Sequence, residues 1–251
     1  MYAMNYEEYR FDNIPSTHDF LREQRQIRKA SQNRSAVLAV AKMQTGGKGT
    51  KGRSFESGLG GLWFSALEFH ENTPTKDAFL MMARSAVAVC KTIEEYGLSP
   101  QIKWANDVLL QGKKVCGVLT ENVFKGDKID STLFGIGLNV NNQLGEALQP
   151  IATTLSREAG QELSLADVEA RLMRHFFAPF EFSEYAKRLA HLGKEIAFLV
   201  DGREFTARLM GVTNVGQLIL LENGAEKHYA YGEIALRKPC ALQDEQTTGN
   251  F

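Results

Sequence analysis

The segment QTGGKGTKGRSFES, residues 44–57, combines a cluster of glycines with three cationic side chains, Lys48, Lys51 and Arg53. Glycine costs ordering entropy and offers no side chain to pack, so such a cluster serves backbone geometry or the close approach of a ligand. Backbone N–H groups beside lysine and arginine are suited to binding phosphate. The spacing is not that of a Walker P-loop. The segment predicts an anion-binding loop, and a flexible basic surface loop is the alternative.

A second polar group occurs in KWANDVLL, which places Lys103, Asn106 and Asp107 beside a short apolar strand. Polar groups in a sheet must find a partner or face a ligand. Asp107 could hold a ligand amine or a metal ion, with Lys103 as its ion-pair partner. The alternative is a surface turn capped by the Asn-Asp pair.

Two further segments combine glycine with polar side chains at strand positions. GKKVCGVLTEN places Lys114 where a hairpin turn enters an apolar strand, with Gly117 close by. FGIGLNVNN alternates Gly135 and Gly137 with apolar residues and continues to Asn139. Glycine weakens a strand unless a ligand or another backbone comes close. The pattern predicts a sheet face that admits a ligand, although a lysine at a strand entrance can also be merely solvated.

Hydrophobic periodicity predicts the elements that must position these groups. Helices are expected over 17–27, 77–96, 165–177 and 181–192, with Ser16 or Thr17 and Ser164 as N-caps. Strands are expected over 35–41, 61–69, 101–104, 108–110, 115–122 and 131–140. From Gly193 onward the short strands 196–200, 204–212, 217–221, 227–231 and 234–236 are typical of a small SH3-like β-barrel.

Composition excludes several classes of function. The 251 residues carry 30 acidic and 29 basic side chains. The molecule therefore lacks the positive electrostatic field that would attract nucleic acid or an anionic membrane. Cys90, Cys116 and Cys240 are widely spaced, and they predict neither a disulfide framework nor a zinc site. The N-terminal residues do not form a signal peptide, and no apolar run reaches the roughly 20 residues of a membrane span. We therefore expect a cytoplasmic protein.

Taken in order, STHDFLRE, QTGGKGTKGRSF, KWANDVLLQGKKVCGVLTEN and GIGLNVNN resemble the biotin protein ligase family. Members of that family carry STN-D, a GRGRxGR loop, KWPND, a GKK or related turn before an xGIL-xE strand, and GIGIN. The similarity continues through ATTLSREAGQELSLADVEARL to GEIALR and covers roughly residues 10–238. Each motif is weak alone, but the ordered set is specific.

The resemblance implies an α+β fold: a catalytic domain with a mixed, mainly antiparallel β-sheet flanked by helices, then a small C-terminal SH3-like β-barrel. The expected boundaries are 1–192 for the biotin- and ATP-binding domain, 193–240 for the β-barrel and 241–251 for a polar tail. The resemblance also implies a short, monofunctional type without an N-terminal DNA-binding domain. Its reaction would form biotinyl-5'-AMP from biotin and ATP and then transfer biotin to one lysine of a biotin carboxyl carrier protein.

Residue roles also follow from the resemblance. The catalytic residues would be Lys114, Asp107 and Arg53. Lys114 would neutralise the biotin carboxylate and the phosphate, and Asp107 would help deprotonate the acceptor amine, whose pKa of about 10.4 makes it inert at neutral pH. The biotin-binding set would be Ser16, Thr17, His18, Gln44, Gly47, Lys48, Lys114, Gly117, Gly135 and Gly137, with Trp63 and Phe64 as an apolar wall. The adenylate-binding set would be Lys48, Gly49, Thr50, Lys51, Arg53, Lys103, Asn106 and Asn139.

Three positions depart from the family pattern. His18 replaces the usual Asn, Ala105 replaces the usual Pro, and Thr50 stands where many relatives have the central Arg of the glycine loop. Because Thr50 lacks the positive charge of that arginine, we expect the adenylate to be retained more weakly, unless Lys48 or Lys51 substitutes for it.

The sequence leaves two rival functions open, and it leads to several expectations about partners. A lipoate or octanoate ligase shares the adenylate chemistry, and a non-enzymatic binding module is the alternative of another class. About ten to fifteen residues precede the catalytic motifs, too few for a DNA-binding domain of about 60 residues, so no DNA binding is expected. No membrane partner is expected. Mg²⁺ is expected with ATP, and either a monomer or a homodimer is compatible with the sequence.

Overall fold

The computed structural model describes residues 6–236, apart from the side chain of Lys51. Cys240 and the predicted tail 241–251 lie outside the described residues. The chain divides into two compact units between Ala190 and His191. The division falls two residues before the boundary expected from the sequence.

The first unit is built on one seven-stranded sheet. Its strands are β1 (Tyr6–Ile14), β2 (Ala36–Gln44), β3 (Leu62–Pro74), β4 (Gln101–Lys103), β5 (Asp107–Leu110), β6 (Lys113–Lys125) and β7 (Lys128–Leu138). They lie in the order β1-β2-β3-β7-β6-β5-β4. Only β1 and β2 pair in parallel among these strands, and every other described pairing in the sheet is antiparallel. The mixed, mainly antiparallel sheet is confirmed.

Helices flank this sheet, as expected. They are α1 (Thr17–Ala30), α2 (Ala78–Glu94), α3 (Leu155–Ala159), α4 (Leu165–Phe176) and α5 (Phe182–Ala186). The predicted caps are in place: Ser16 Oγ accepts from the N–H of Asp19, and Ser164 Oγ accepts from the N–H of Asp167. Leu21 of α1 belongs to a buried cluster with side chains of β2, β3 and β7. The cap and this packing fix the start of α1 over the sheet.

Three elements differ from the sequence prediction. The edge strand β1 was missed because its sequence, YEEYRFDNI, is largely exposed and carries little of the apolar signal of a buried strand. The short α3 was also missed. The helix expected over 181–192 ends at Ala186, because the chain beyond it pairs with the edge of the sheet: Ile102 donates to Arg188 O and accepts from the N–H of Ala190.

The turn between β5 and β6 is a two-residue connection, as QGKK predicted. Gln111 and Gly112 both take left-handed conformations, with φ of 48° and 74°. Positive φ at both central positions matches the right-handed twist of the flanking strands. This turn fixes where Lys114 enters β6.

The second unit is an antiparallel sheet in the order β11-β10-β9-β8-β12. Its strands are β8 (Glu195–Val200), β9 (Arg203–Val212), β10 (Leu218–Glu222), β11 (Ala225–Tyr229) and β12 (Ala235–Leu236). Ile196, Phe198, Leu209, Leu218 and Leu220 form its buried face. The predicted C-terminal β unit is confirmed.

No helix in the range 6–236 combines the length and the apolar character needed to cross a membrane.

An ion pair between buried Glu68 and the largely buried Arg84 joins β3 to α2 in the first unit. Arg84 donates twice to the buried carboxylate of Glu68, at 2.9 and 2.8 Å. Its guanidinium lies over the rings of Phe134 and Phe176, 4.7 and 4.9 Å from their centroids. Removing one partner of such a pair leaves a charge uncompensated in the interior.

We expect Arg84→Ala to lower the free energy of unfolding by about 3–5 kcal/mol, because Glu68 then stays buried without its cation. Urea unfolding followed by circular dichroism measures the loss. Arg10→Ala is the matched control, because Arg10 forms an exposed pair with Glu169 and its loss should cost less than about 1 kcal/mol. Equal effects of the two variants would contradict the assignment of Arg84 to the core.

Candidate active site

A cavity of about 50 Å³ lies where the start of α1, the glycine loop and the faces of β6 and β7 meet. It brings together parts of all four sequence segments singled out for their chemistry. The lining consists of Ser16, Thr17, His18, Gln44, Lys48, Gly49, Thr50, Phe55, Phe64, Ser65, Asn106, Lys114, Gly117, Val118, Leu119, Gly135, Ile136 and Gly137.

Most residues predicted for the site lie on this lining, and five of the described ones do not. Those on the lining are Ser16, Thr17, His18, Gln44, Lys48, Gly49, Thr50, Asn106, Lys114, Gly117, Gly135 and Gly137. Those not on it are Gly47, Arg53, Lys103, Asp107 and Asn139, and the side chain of Lys51 lies outside what the structure describes. Asp107 nevertheless contacts the lining through Lys114.

Three glycines form the floor of the cavity. Gly117 of β6 lies opposite Gly137 of β7, and Gly135 lies two residues earlier on β7. A Cβ at Gly137 would lie 2.7 Å from the ring of Phe55, and one at Gly117 would lie 2.9 Å from that ring. Because residues two apart on a strand face the same side, Gly135 and Gly137 mark two ends of the floor about 7 Å apart.

The glycine loop folds into a closed hairpin over this floor. Gly49 N–H donates to Arg53 O at 2.7 Å, and Phe55 N–H donates to Gly47 O at 2.8 Å. Gly47 is buried where a Cβ would lie 2.4 Å from the carbonyl oxygen of Phe55, so only glycine fits. Arg53 is exposed. Gly47 thus shapes the loop without lining the cavity.

The end of the cavity near Gly135 carries neutral polar groups that bond to one another. Thr17 donates from its N–H and its hydroxyl to Gln44 Oε1, at 2.8 and 3.0 Å. The Thr17 hydroxyl also lies 2.8 Å from Ser65 Oγ, and Gln44 Nε2 donates to Ser57 Oγ. These bonds orient the amide and hydroxyl groups that were expected to meet a polar ligand.

His18 lies beside these groups and is almost fully buried. Its Nε2 is 3.8 Å from Glu121 Oε2, too long for a hydrogen bond but close enough for a charge–dipole interaction. Glu121 also accepts hydrogen bonds from Arg22 and Arg25. The imidazole of His18 and these two guanidinium groups hold the pKa of the Glu121 carboxyl well below its usual range, so it is ionised at neutral pH.

The end of the cavity near Gly137 carries a cation. Lys114 Nζ lies 2.6 Å from Asp107 Oδ1 and 5.4 Å from the centroid of the Phe55 ring. The backbone of Lys114 is fixed by bonds to Ile151 O and from the N–H of Thr153. The ion-pair partner of Asp107 is therefore Lys114, and the pairing suggested with Lys103 is wrong.

The two asparagines predicted for the adenylate differ in position. Asn106 lines the cavity, and its side chain donates to Val118 O at 2.6 Å. Asn139 is buried, donates to Thr153 O and accepts from Asn142 Nδ2. The side chain of Asn139 therefore joins the end of β7 to the segment that follows, away from the cavity.

Phe55 and Ser65 are site residues that the sequence reasoning missed. Phe55 occupies the space above Gly117 and Gly137 and packs edge-on against Trp63, with ring centroids 5.9 Å apart. Trp63, which was expected to form the apolar wall, instead donates to Gly58 O and supports Phe55. An aromatic side chain within the polar glycine loop was the signal for Phe55.

The fold and the cavity define a class of enzyme. The chain belongs to the biotin/lipoate A/B protein ligase family, whose model matches residues 11–141. A model for the biotin protein ligase C terminal domain matches residues 191–237. The family resemblance inferred from the motifs is confirmed.

Individual relatives support the same assignment. The bifunctional ligase/repressor BirA of Bacillus subtilis is 32% identical over 233 residues, which is 85% of this chain and 71% of the relative. The biotin–[acetyl-CoA-carboxylase] ligase of Paracoccus denitrificans is 28% identical over 206 residues, 74% of this chain and 84% of the relative. The structure of the biotin protein ligase from Aquifex aeolicus in complex with biotin and ATP is similar at a TM-score of 0.71 and 29% identity, covering 92% of this chain and 99% of the other.

The position of Phe55 leads to a kinetic prediction. A cavity of about 50 Å³ is far smaller than the roughly 300–1,000 Å³ of small-molecule sites, so the Phe55 ring must move for a ligand to enter. With biotin as the probe, Phe55→Ala should speed association roughly fivefold, because the competent state no longer requires that movement. Stopped-flow tryptophan fluorescence measures the association rate, because Trp63 packs against Phe55, and exposed Phe124→Ala is the control. An unchanged or slower association would contradict the prediction.

Proposed function

We propose that this protein is an ATP-dependent biotin ligase, which forms biotinyl-5'-AMP and transfers biotin to a specific lysine of a biotin carboxyl carrier protein. The observation that carries the proposal is the two-ended cavity. Hydrogen-bonding groups lie at the Gly135 end and the Lys114 cation lies at the Gly137 end, about 7 Å apart along β7. Biotin has the matching layout, with a polar urea ring at one end and a carboxylate at the other.

Adenylation is the first half-reaction. A biotin carboxylate oxygen attacks the α-phosphorus of ATP, the bond to the β-phosphate oxygen breaks, and pyrophosphate leaves. The step brings two anions together, and Lys114 is placed to neutralise them both before and during it. Asp107 holds the ammonium of Lys114 in position until the anions arrive.

Transfer to the carrier is the second half-reaction. The ε-amine of the acceptor lysine attacks the acyl carbon of biotinyl-5'-AMP, an amide bond forms, and AMP leaves with its oxygen. The attacking nitrogen must lose a proton, and we assign Asp107 as the group that accepts it. Asp107 suits this role because it is partly exposed beside the cavity and hydrogen-bonded to Lys114.

The adenylate side of the site combines loop and strand residues. Lys48, Gly49, Thr50 and Asn106 line the cavity, and Lys48 Nζ lies 3.3 Å from Asp19 Oδ2, which holds this cation near the cavity. Lys51, Arg53 and Lys103 stay assigned to the phosphates by family resemblance. Asn139 is better explained as a support for the end of β7.

Magnesium enters this scheme with the nucleotide. Within residues 6–236 no three His, Cys, Asp or Glu side chains are grouped as they would be in a metal site. Mg²⁺ in nucleotide enzymes is held largely by phosphate oxygens and water, with one or two carboxylates. We therefore assign it to a complex with ATP rather than to a protein cage.

The partner we propose is a biotin carboxyl carrier domain, with acetyl-CoA carboxylase as its typical source. Cys90 and Cys116 are buried free thiols, which suits the reducing cytoplasm. Neither DNA nor a membrane is included among the partners, and monomer and homodimer both stay open. The rival acid that the name of the matched family supports is lipoate, and octanoate stays the related alternative suggested by the sequence.

The first test of the proposal is ATP–pyrophosphate exchange with biotin, lipoate or no acid. We expect exchange with biotin, and we expect Lys114→Met to lower its rate about a hundredfold or more, because the cation that neutralises both anions is lost. Lys113→Met is the matched control, since Lys113 is adjacent and donates to Gln149 O instead.

The arms of this exchange experiment separate the alternatives. Exchange with lipoate alone would replace the proposal by a lipoate ligase. Absence of exchange with either acid in a folded protein would overturn the enzymatic proposal and favour a binding module. Equal losses in the Lys113 and Lys114 variants would remove the assigned role of Lys114.

A second test separates the half-reactions. Asp107→Asn should slow biotin transfer from preformed biotinyl-5'-AMP to a carrier domain by about 10²–10⁴-fold, since the general base is lost. Exchange should stay within about threefold, because the amide still hydrogen-bonds to Lys114. Single-turnover transfer measures the first rate, with Asp130→Asn as the control, because Asp130 pairs with Arg34 and lies outside the cavity lining. Unchanged transfer in Asp107→Asn would contradict the assignment.

A further inference from the structure

The hydroxyl of Tyr185 is a polar group inside an aromatic cluster around α5. The tyrosine is fully buried, and its ring packs against those of Phe79 and Phe182, with centroids 5.3 and 6.1 Å away. Phenylalanine would fill the same space without the cost of burying a hydroxyl. The hydroxyl donates a hydrogen bond of 2.7 Å to the carbonyl oxygen of Ala105. Its role is therefore to be sought at Ala105.

Ala105 lies in the turn of residues 104–106, which joins β4 to β5. Asn106 of this turn lines the cavity, and Asp107, the next residue, pairs with Lys114. The flanking strands are short, since β4 has three residues and β5 has four. Such a short hairpin gives little stability of its own. Bonds from outside it must therefore help to fix the positions of Asn106 and Asp107.

The turn and its hairpin are held from two sides. On the β6 side, Asn106 Nδ2 donates to Val118 O at 2.6 Å, and Asn106 O accepts from the N–H of Val118 at 2.9 Å. On the opposite side, Tyr185 donates to Ala105 O, and the chain just after Tyr185 forms two backbone bonds with Ile102 of β4. Loss of the hydroxyl would release Ala105 from the side away from β6.

Alanine at position 105 explains why this turn needs a restraint from outside. Proline, which the family pattern has at this position, fixes φ near about −65° through its ring, whereas alanine leaves φ free. The bond from Tyr185 restricts the backbone of Ala105 in another way, by tying its carbonyl oxygen to α5. Burial raises the pKa of Tyr185 well above its usual range, so the hydroxyl stays protonated and remains a donor.

We propose that Tyr185 is a positioning residue for the transfer of biotin, because its hydrogen bond to Ala105 holds the turn that places Asp107 beside the acceptor amine. The inference rests on the proposed function and adds to it a residue outside the cavity lining. Tyr185 touches no reacting atom and acts through the backbone of the turn. Adenylation depends less on this bond, since the backbone of Lys114 is fixed separately by its bonds to residues 151–153.

The test is Tyr185→Phe, assayed in the two half-reactions separately. We expect single-turnover transfer from preformed biotinyl-5'-AMP to a carrier domain to slow about tenfold, because a small displacement of a reacting group lowers a rate strongly. Exchange of pyrophosphate with biotin and ATP should stay within about threefold, because Lys114 keeps its place. Tyr96→Phe is the matched control, since Tyr96 also donates a bond of 2.7 Å, to Asp167, outside the cavity lining. Both of its rates should equal those of the wild type.

Two double variants test whether the hydroxyl acts through the turn. In an Asp107→Asn background, Tyr185→Phe should change transfer by less than about twofold, because residues that act as one unit do not have additive effects. Adding Ala105→Pro to Tyr185→Phe should restore transfer to within about threefold of the wild type, because the proline ring again restricts φ. A role confined to the packing of α5 would produce neither the coupling nor the rescue.

The outcomes separate this inference from the proposed function. Unchanged transfer in Tyr185→Phe, an equal loss in both half-reactions, or losses that add to those of Asp107→Asn would overturn the inference. A loss that Ala105→Pro does not reverse would also contradict it. If Tyr185→Phe alone does not fold, the double variant with Ala105→Pro decides: transfer near the wild-type rate supports the inference, and slow transfer with normal exchange overturns it. Wild-type protein without biotin-dependent exchange would instead remove the proposed function itself.

Discussion

The site depends on a patch of three glycines, Gly117, Gly135 and Gly137, where β6 and β7 carry no side chains on the face toward the cavity. Gly117 and Gly137 lie opposite each other in the middle of the sheet, and Gly135 extends the patch by two residues. A side chain at Gly117 or Gly137 would collide with the Phe55 ring, and one at Gly135 would crowd the His18 imidazole. Glycine weakens a strand, but at these positions the missing side chain lets polar groups and a ligand approach the backbone.

One ion pair, Lys114 with Asp107, and one imidazole beside a carboxylate, His18 with Glu121, lie at the ends of this patch, and each is held from outside the cavity. Lys114 pairs with Asp107, and its backbone is bonded to the segment around Ile151. His18 faces Glu121, which is held by arginines of α1. Charged groups held in advance need no reorganisation when substrate charge develops, which makes them effective in catalysis and selection. The site is therefore organised by its supporting contacts as much as by its lining.

Sequence reasoning succeeded where a local rule applied. Ser16 and Ser164 cap helices because short hydroxyl side chains satisfy unpaired N–H groups, and QGKK forms a hairpin turn because positive φ suits its central residues. Reasoning failed where the outcome depended on distant partners. The exposed edge strand β1 lacks an apolar signal, and the helix expected over 181–192 gives way to pairing with β4, which is distant in sequence.

The sequence by itself determined the family, the order of most elements and most of the polar residues near the site, because motifs and periodicity are local properties of the chain. Only the tertiary structure decided which of those residues meet. It paired Asp107 with Lys114, placed Phe55 over the glycines and left the His18 imidazole without a hydrogen bond beside Glu121. Such pairings depend on sheet register and on the path of a loop, and many residues far apart in the chain set both.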